Sequence, residues 1–328
     1  MPVLLVSHRL NVERGSDLAR CARDAGLDIV ALPEDREARL PGDVVSQIKV
    51  ALFSSDVFPD FSRQFFSAVR KAPALDWLHV FNVGVDHPIY TEMLERGVRL
   101  TTSAGSTAEP IAQTAIAALI MLARNWPRWL EGQREHRWDP MRTAEFPPDL
   151  RGQTAVIVGL GAIGKAIARL AQVLGLKVVG IRHSPQAPGD PVDEMHTPDK
   201  LADVIPKADW LILACPLTEE TRGLIDAAML ARLPNTARVI NVGRGEVVDE
   251  PALIEALESK RLGGAYLDVF QQEPLPADSK LWDLPNVFVT PHNSAVASGN
   301  DRRVYEIFVD NLARWRKGEP LRNEVEAK

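Results

Sequence analysis

Three polar residues near the ends of apolar segments could together carry out a carbonyl reduction. Arg244 lies in Asn241-Val-Gly243-Arg244-Gly245, Glu273 in Leu267-Asp268-Val-Phe270-Gln-Gln-Glu273-Pro, and His292 in Val289-Thr-Pro291-His292-Asn-Ser-Ala295. A 2-oxo acid presents a carboxylate beside a carbonyl. The planar guanidinium of Arg244 can grip that carboxylate bidentately and polarise the carbonyl. His292 can give a proton to the carbonyl oxygen as hydride arrives, and take it back in the reverse direction. Glu273 can accept from the far ring nitrogen of His292, fix its orientation and stabilise the charge it gains. Each residue alone has a plainer account: a solvated arginine, a turn glutamate before proline, a structural histidine. Their joint occurrence at strand ends is what points to catalysis.

The hydride needs a carrier, and the chain contains a loop of the right type. Thr154-Ala-Val-Ile-Val158 reads as a strand, and Gly159-Leu160-Gly161-Ala162-Ile163-Gly164 comes directly after it. An apolar helix runs from Lys165 to Leu174, and a second strand, Lys177–Ile181, ends in Arg182-His183-Ser184. In that context the glycines suit a dinucleotide: Gly159 for the tight turn, Gly161 for approach to a pyrophosphate, Gly164 for helix–strand packing. The pyrophosphate meets the free amides of the helix N-terminus. An acid after the second strand would accept from a ribose 2′-hydroxyl, whereas Arg182 attracts a 2′-phosphate. The cofactor expected is therefore NADP(H), with NAD(H) as the alternative. Cys215, Pro216 and Thr221 after one later strand, and Asn241, Val242 and Gly243 after the next, are assigned to the cofactor as well. Cys215 is read as a small residue beside it and not as a nucleophile, since no basic partner is near in sequence.

The elements that must position these groups alternate along the chain. Strands are expected at Val3–Ser7, Leu27–Leu32, Val50–Phe53, Leu78–Asn82 and Val98–Thr101. Helices are expected near Ser16–Gly26 with Ser16 as cap, near Phe61–Arg70 and near Tyr90–Arg96. A long helix spans about Thr107–Arg124, and the Trp-, Arg- and Pro-rich stretch Trp126–Pro148 reads as a lid or wall rather than a sheet element. Further strands are Trp210–Ala214, Arg238–Val242, Gly264–Asp268 and Val287–Thr290. Thr197-Pro198 and Pro251 mark helix starts, the first with a hydroxyl cap. An amphipathic helix, Asp301–Lys317, closes the chain. The fold class expected is α/β: two Rossmann- or flavodoxin-like domains with doubly wound parallel sheets and an active-site cleft between them.

Composition narrows the function classes. The 328 residues suggest two domains, and a net charge of −6 with no basic run argues against nucleic-acid binding. Cys21 and Cys215 fall in different predicted domains, so no disulfide framework is expected and a reducing cytoplasm fits. The N-terminus reads as a first strand and not a signal peptide. The apolar stretch Ile111–Ala123 is too short to span a bilayer, so no membrane partner is expected. The histidines show no metal-ligand spacing, and no metal is expected.

With the glycine loop, the Arg244 segment, Leu267–Pro276 and Pro291-His292 in view, the chain resembles the D-isomer-specific 2-hydroxyacid dehydrogenase family over nearly its whole length. The resemblance implies a substrate domain split between residues 1–101 and 296–328, a Rossmann domain over 102–295, and a homodimer. It implies that Arg244, Glu273 and His292 are the catalytic set. It also implies that the loop Asn82-Val83-Gly84-Val85-Asp86 offers amides to the substrate carboxylate, chiefly at Val83 and Gly84, and that Asp268 accepts from the nicotinamide carboxamide. Arg182-His183-Ser184 is similar to the NADP(H)-using glyoxylate and hydroxypyruvate reductase branch. Glu273 argues against formate oxidation, where the resemblance implies a glutamine, and no regulatory domain is expected after the last helix. Trp138 is a candidate wall of the substrate pocket. Reduction of bulkier 2-oxo acids, phenylpyruvate-like or branched, is the enzymatic alternative. A dinucleotide-sensing interaction protein on the same fold is the other.

Overall fold

In a computed structural model, which describes residues 1–85 and 87–325, the chain forms two compact units. One comprises Met1–Ser106 with Ala297–Lys328, and the other Thr107–Val296. Asp86, in the loop singled out for substrate amides, lies outside the described residues. The elements in chain order begin with β1 (Val3–Val6), α1 (His8–Asp24), β2 (Asp28–Ala31), α2 (Gly42–Val45), β3 (Ile48–Phe53) and α3 (Ser62–Lys71). They continue with β4 (Trp77–Val80), α4 (Pro88–Glu95), β5 (Arg99–Thr102), α5 (Ala108–Ala123), α6 (Trp126–Arg134), β6 (Thr154–Val158) and α7 (Ala162–Val173). Next come β7 (Lys177–Ile181), β8 (Glu194–His196), α8 (Leu201–Val204), β9 (Trp210–Leu213), α9 (Ala227–Arg232) and β10 (Arg238–Asn241). The last are α10 (Glu250–Glu258), β11 (Gly264–Leu267), β12 (Val287–Val289) and α11 (Asn300–Lys317).

The first unit is a five-stranded parallel sheet in the order β2-β1-β3-β4-β5. Its inner strands β1, β3 and β4 are buried on both sides because both faces are covered. Leu5, Ala51, Phe53, Leu78 and Val80 pack into one core with α3 and α4. Leu4, Val6, Val50, Leu52 and Trp77 pack into the other with Leu18 of α1 and with Tyr305, Phe308 and Leu312 of α11. The chain's last helix is thus an integral half of this unit's second layer.

The second unit is a seven-stranded parallel sheet, β12-β11-β10-β9-β6-β7-β8. Alternation with period two assigns Val156, Val158, Leu211 and Leu213 to one face and Ala155, Ile157, Trp210 and Ile212 to the other. The strand order reverses between β6 and β9. In an open parallel sheet such a reversal leaves a crevice outside the carboxyl ends of those two strands.

Two local readings are corrected. α1 starts at His8, not Ser16, because the Ser7 hydroxyl accepts from the Leu10 amide at 3.0 Å and caps it there. Only Gly15, at φ 8° and ψ −90°, interrupts that helix. Thr197 does not cap: its hydroxyl donates to Asp199 at 2.5 Å, and Pro198–Lys200 is a short 3₁₀ turn. The stretch read as a lid or wall rather than a sheet element contains α6, tied by charge to residues 139–145. Arg128 grips both oxygens of Asp139 at 2.7 and 2.8 Å and reaches Glu145 at 2.8 Å. Arg128, then Arg137, pushes the Asp139 carboxyl down to about 2. Among the described residues no helix is long and apolar enough to cross a membrane.

Candidate active site

The glycine loop sits at the end of β6, on one side of the strand-order reversal. Gly159 has φ +93°, and a Cβ there would come within 2.5 Å of the Cys215 amide nitrogen. A Cβ on Gly164 would stand 2.0 Å from the Gly159 carbonyl oxygen, which is how α7 packs onto the loop. Gly161 differs. It is the N-cap of α7, no side chain accepts from the first helical amides, and a Cβ would meet nothing within 4 Å. The amides opening α7 therefore face room of the kind a pyrophosphate needs. Leu160 is buried in the core and can contribute only through its backbone; Ala162 and Ile163 form the first turn of α7.

Arg182, at the end of β7, is held in a clasp that its sequence position did not reveal. Its Nη2 contacts Asp190 at 2.7 Å and the Pro185 carbonyl at 2.5 Å, and its Nε donates to the Ser184 carbonyl at 3.0 Å. Nη1 reaches the Leu160 carbonyl in the glycine loop at 3.5 Å. The Asp190 side chain is 2% exposed and also binds Lys165 of α7 at 2.8 Å and the Ala187 amide at 2.7 Å. Lys165, that amide and Arg182 hold its carboxyl well below the usual carboxylate range. One carboxylate thus ties the glycine helix, the strand end and the loop beyond it together. Arg182 keeps one Nη1 hydrogen without an acceptor among the described residues. His183 beside it is exposed and pairs with Glu220 at 3.1 Å, and Ser184 is exposed.

Across the reversal, the loops after β9 and β10 close against the glycine loop. Cys215 is buried, and burial pushes its thiol up to about 11, which removes it as a nucleophile near neutral pH. Its backbone is wedged between Gly159 and Gly243, whose Cβ would come 2.7 Å from the Cys215 carbonyl. Thr221 Oγ1 donates to the Pro216 carbonyl at 2.7 Å and accepts from the Thr218 amide at 2.7 Å, closing the turn. Asn241, buried, does the same for the next loop. Its Oδ1 accepts from Gly243 and its Nδ2 donates to the Arg244 carbonyl, both at 3.0 Å. Val242 is buried behind them. The Arg244 side chain is exposed, donates to the Gly243 carbonyl at 2.8 Å, and forms no ion pair with a described residue. It is a cation left available for an anion.

His292 and Glu273 are brought together as their residue types implied. His292 Nδ1 and Glu273 Oε2 stand 2.8 Å apart, both side chains partly exposed, so Nε2 is the ring nitrogen left for chemistry. Glu273 Oε1 accepts from the Phe270 amide at 3.1 Å, and the Gln271 amide is anchored to Glu250 at 3.0 Å. His292 itself has φ +53°, a left-handed conformation that few non-glycine residues adopt. The reason lies in Asp268, which is 1% exposed. The Asp268 carbonyl accepts from the His292 amide at 2.9 Å. Its carboxylate accepts from the Thr290 hydroxyl at 2.6 Å, the Asn293 amide at 2.9 Å, the Ser294 amide at 3.0 Å and the Ser294 hydroxyl. Asp268 is therefore the post around which residues 290–294 wind, and it presents the imidazole. That role, and the partnership of Lys165 with Asp190, were not read from sequence, because the partners lie many residues apart.

Trp138 is 94% exposed, and nothing in its unit packs over it. Val83 and Gly84 are exposed in the loop after β4 of the first unit. There the Tyr90 hydroxyl donates to Asn82 Oδ1 at 3.2 Å, and the Asn82 amide donates to the Gly84 carbonyl.

Residues 116–294 match the family described as D-isomer specific 2-hydroxyacid dehydrogenase, NAD binding domain. A glyoxylate reductase of Korarchaeum cryptofilum is 35% identical over 257 residues, covering 76% of each chain. Glyoxylate/hydroxypyruvate reductase B of Citrobacter koseri is 33% identical over 291 residues, 86% of this chain and 88% of that one. Among solved structures, an NADPH-dependent glyoxylate/hydroxypyruvate reductase from Sinorhizobium meliloti, in complex with NADP and sulfate, superposes with a TM-score of 0.75. It is 28% identical, with 99% of this chain and 98% of that one covered.

Proposed function

Because the chain belongs to the D-isomer specific 2-hydroxyacid dehydrogenase family, we propose that it reduces glyoxylate and hydroxypyruvate with NADPH in preference to NADH. The observation that carries this reading is the His292–Glu273 pair at 2.8 Å, in the same unit as an uncapped glycine loop and an Arg244 with no ion-pair partner among the described residues. The bound dinucleotide supplies the hydride. Arg244 binds the substrate carboxylate and draws density from the neighbouring carbonyl. His292 donates the proton on Nε2 to the carbonyl oxygen as it becomes a hydroxyl, and Glu273 holds the ring in place by its hydrogen bond to Nδ1. The glycine loop takes the pyrophosphate at the α7 amides, with Cys215, Pro216, Thr221 and residues 241–243 lining the rest of the cofactor's path. Asp268 shapes the loop beside the nicotinamide.

The preference for NADPH is supported by the cation of Arg182 at the end of β7, next to the exposed His183 and Ser184, and by the NADP bound in the Sinorhizobium meliloti structure. The amides of Val83 and Gly84 are assigned to the substrate carboxylate on the resemblance. A homodimer belongs to the same proposal, with the exposed Trp126, Trp129 and Trp138 as apolar surface available for it. So does a cytoplasmic setting.

Steady-state oxidation of NADPH and of NADH with glyoxylate, hydroxypyruvate and phenylpyruvate tests the reading. Turnover of the first two, fastest with NADPH, is expected. Tight NADPH binding with no turnover of any 2-oxo acid would refute it.

A further inference from the structure

A cavity of about 810 Å³ opens on the first unit, and every residue lining it belongs to that unit. Its floor is aromatic: Phe53, Phe58, Phe66, Phe81 and Tyr90. Ring centroids lie 4.7 Å apart for Phe53–Phe66, 5.5 Å for Phe53–Phe81, 6.3 Å for Phe58–Phe81 and 6.1 Å for Phe66–Tyr90, so the rings form one connected surface. Phe58 is 61% exposed, unusual for a phenylalanine with a packed cluster beside it. The rim is cationic: Arg39, Arg63, Arg70 and Lys71. Three of the four come from one stretch of α3, where positions 63, 66, 67, 70 and 71 share a face.

The rim is neutralised only in part. Arg70 pairs with Glu92 at 2.7 Å, and Arg39 donates to the Ser67 hydroxyl at 3.0 Å. Arg63 and Lys71 make no hydrogen bond or ion pair with a described residue, and no acid stands among the described residues that line the cavity. Like charges gathered at the mouth of an apolar concavity raise the local potential, and an anion relieves it. We propose that this cavity binds an organic anion with a ring-sized apolar body, the body on the phenylalanine floor and the charge between Arg63 and Lys71. Occupancy has a direct route to the Asn82–Gly84 loop, because Tyr90 lines the cavity and its hydroxyl holds Asn82. The anion is either the side chain of a 2-oxo acid or a separate effector of the same chemistry.

Calorimetry on the full chain with 4-phenylbutyrate and its neutral amide tests the site. At low salt the carboxylate should bind tighter than the amide by about five-fold or more, as two or three exposed charge contacts allow. The gap should close at salt on the order of 0.5 M NaCl. It should also close in the double variant Arg63→Ala, Lys71→Ala, whose side chains are exposed, while a Phe66→Ala variant weakens both ligands. Equal affinity for the two ligands, no binding of either, or a gap that survives the double variant overturns the proposal. Inhibition of glyoxylate reduction separates the two sources: a competitive pattern marks the substrate's own side chain, and any other pattern or none marks an effector. Binding is read without turnover, so failure of the reductase reading and failure of this site are distinguishable.

Discussion

His292 combines two demands at one residue. Its ring must reach Glu273, and its backbone must turn left-handed around Asp268. Asparagine accepts that conformation more readily than most side chains. His292→Asn should therefore keep the loop and the affinity for NADPH while kcat falls by about 10²–10⁴-fold. Parallel cofactor titrations and turnover assays check this, and loss of cofactor binding would make the histidine structural. Arg244 poses a question of shape more than charge. Arg244→Lys keeps the cation but loses the fork that matches a carboxylate, so KM for glyoxylate should rise about ten-fold or more with a smaller change in kcat. An unchanged KM would remove carboxylate binding from its role. These residues were legible because their types, at strand ends, have few joint explanations. Asp268 was legible only as a cofactor contact, since its donors come from the loop at 290–294, more than twenty residues on. Arg182 was legible as a cation but not as one arm of a clasp, because Asp190 closes it from the far side of a loop.

Elements make the same kind of distinction among glycines. Gly161 has open space where a side chain would go, whereas Gly164 has a carbonyl oxygen. Gly161→Ala should leave thermal stability nearly unchanged and weaken NADPH several-fold, by standing in the path of the pyrophosphate. Gly164→Ala should cost about 1–3 kcal/mol in stability by forcing α7 off the loop. Melting curves and NADPH titrations of the two variants separate these outcomes, and the reverse pattern would reassign both glycines. In β4, His79 is fully buried. Thr101 Oγ1, which accepts from Trp77, contacts its Nδ1 at 2.7 Å, and Ser103 contacts its Nε2 at 3.0 Å. Burial pushes the imidazole down to about 3 from its ordinary 6.5. Below pH 6.5 the unfolded chain takes up a proton that the folded one refuses. Stability contributed by the neutral ring is thus present above that pH and lost as pH falls toward 3, by roughly 1 kcal/mol per pH unit. Urea titrations from about pH 7 to about pH 4 should show a flatter slope for His79→Gln than for the parent; equal slopes would place the ring's proton elsewhere. The inner strands were readable as short unbroken apolar runs, since both their faces are covered, whereas the polar edge strand β8 was not. The start of α1 was misread because Ser7 looked like the last residue of a strand.

At the level of the whole chain, the two units are encoded differently. The second is one continuous stretch, 107–296, holding both faces of its sheet and every residue assigned to the cofactor. The first is discontinuous and draws Tyr305, Phe308 and Leu312 from the chain's far end. A fragment of residues 107–296 should fold with a cooperative melt and bind NADPH, whereas residues 1–106 alone should keep the core under α3 and α4, lose the layer that α11 completes, and melt at a lower temperature than in the full chain. Circular dichroism and calorimetry on the two fragments decide it, and an unfolded 107–296 fragment would contradict the autonomy of that unit. The discontinuity itself was not legible in composition or period, and entered only through the resemblance.

Each unit also carries one thiol. Cys21 is partly exposed on α1, with its thiol raised by burial, and Cys215 is 6% exposed beneath the glycine loop. An alkylating reagent can reach Cys215 only when the loops bearing Gly159 and Gly243 part, so its labelling rate is a clock for that opening. A dinucleotide seated on the loop would slow this clock and leave that of Cys21 running. The molecule thereby contains, without any engineered label, a timer for the opening of its second unit and, in the partly exposed Cys21, an internal reference for it.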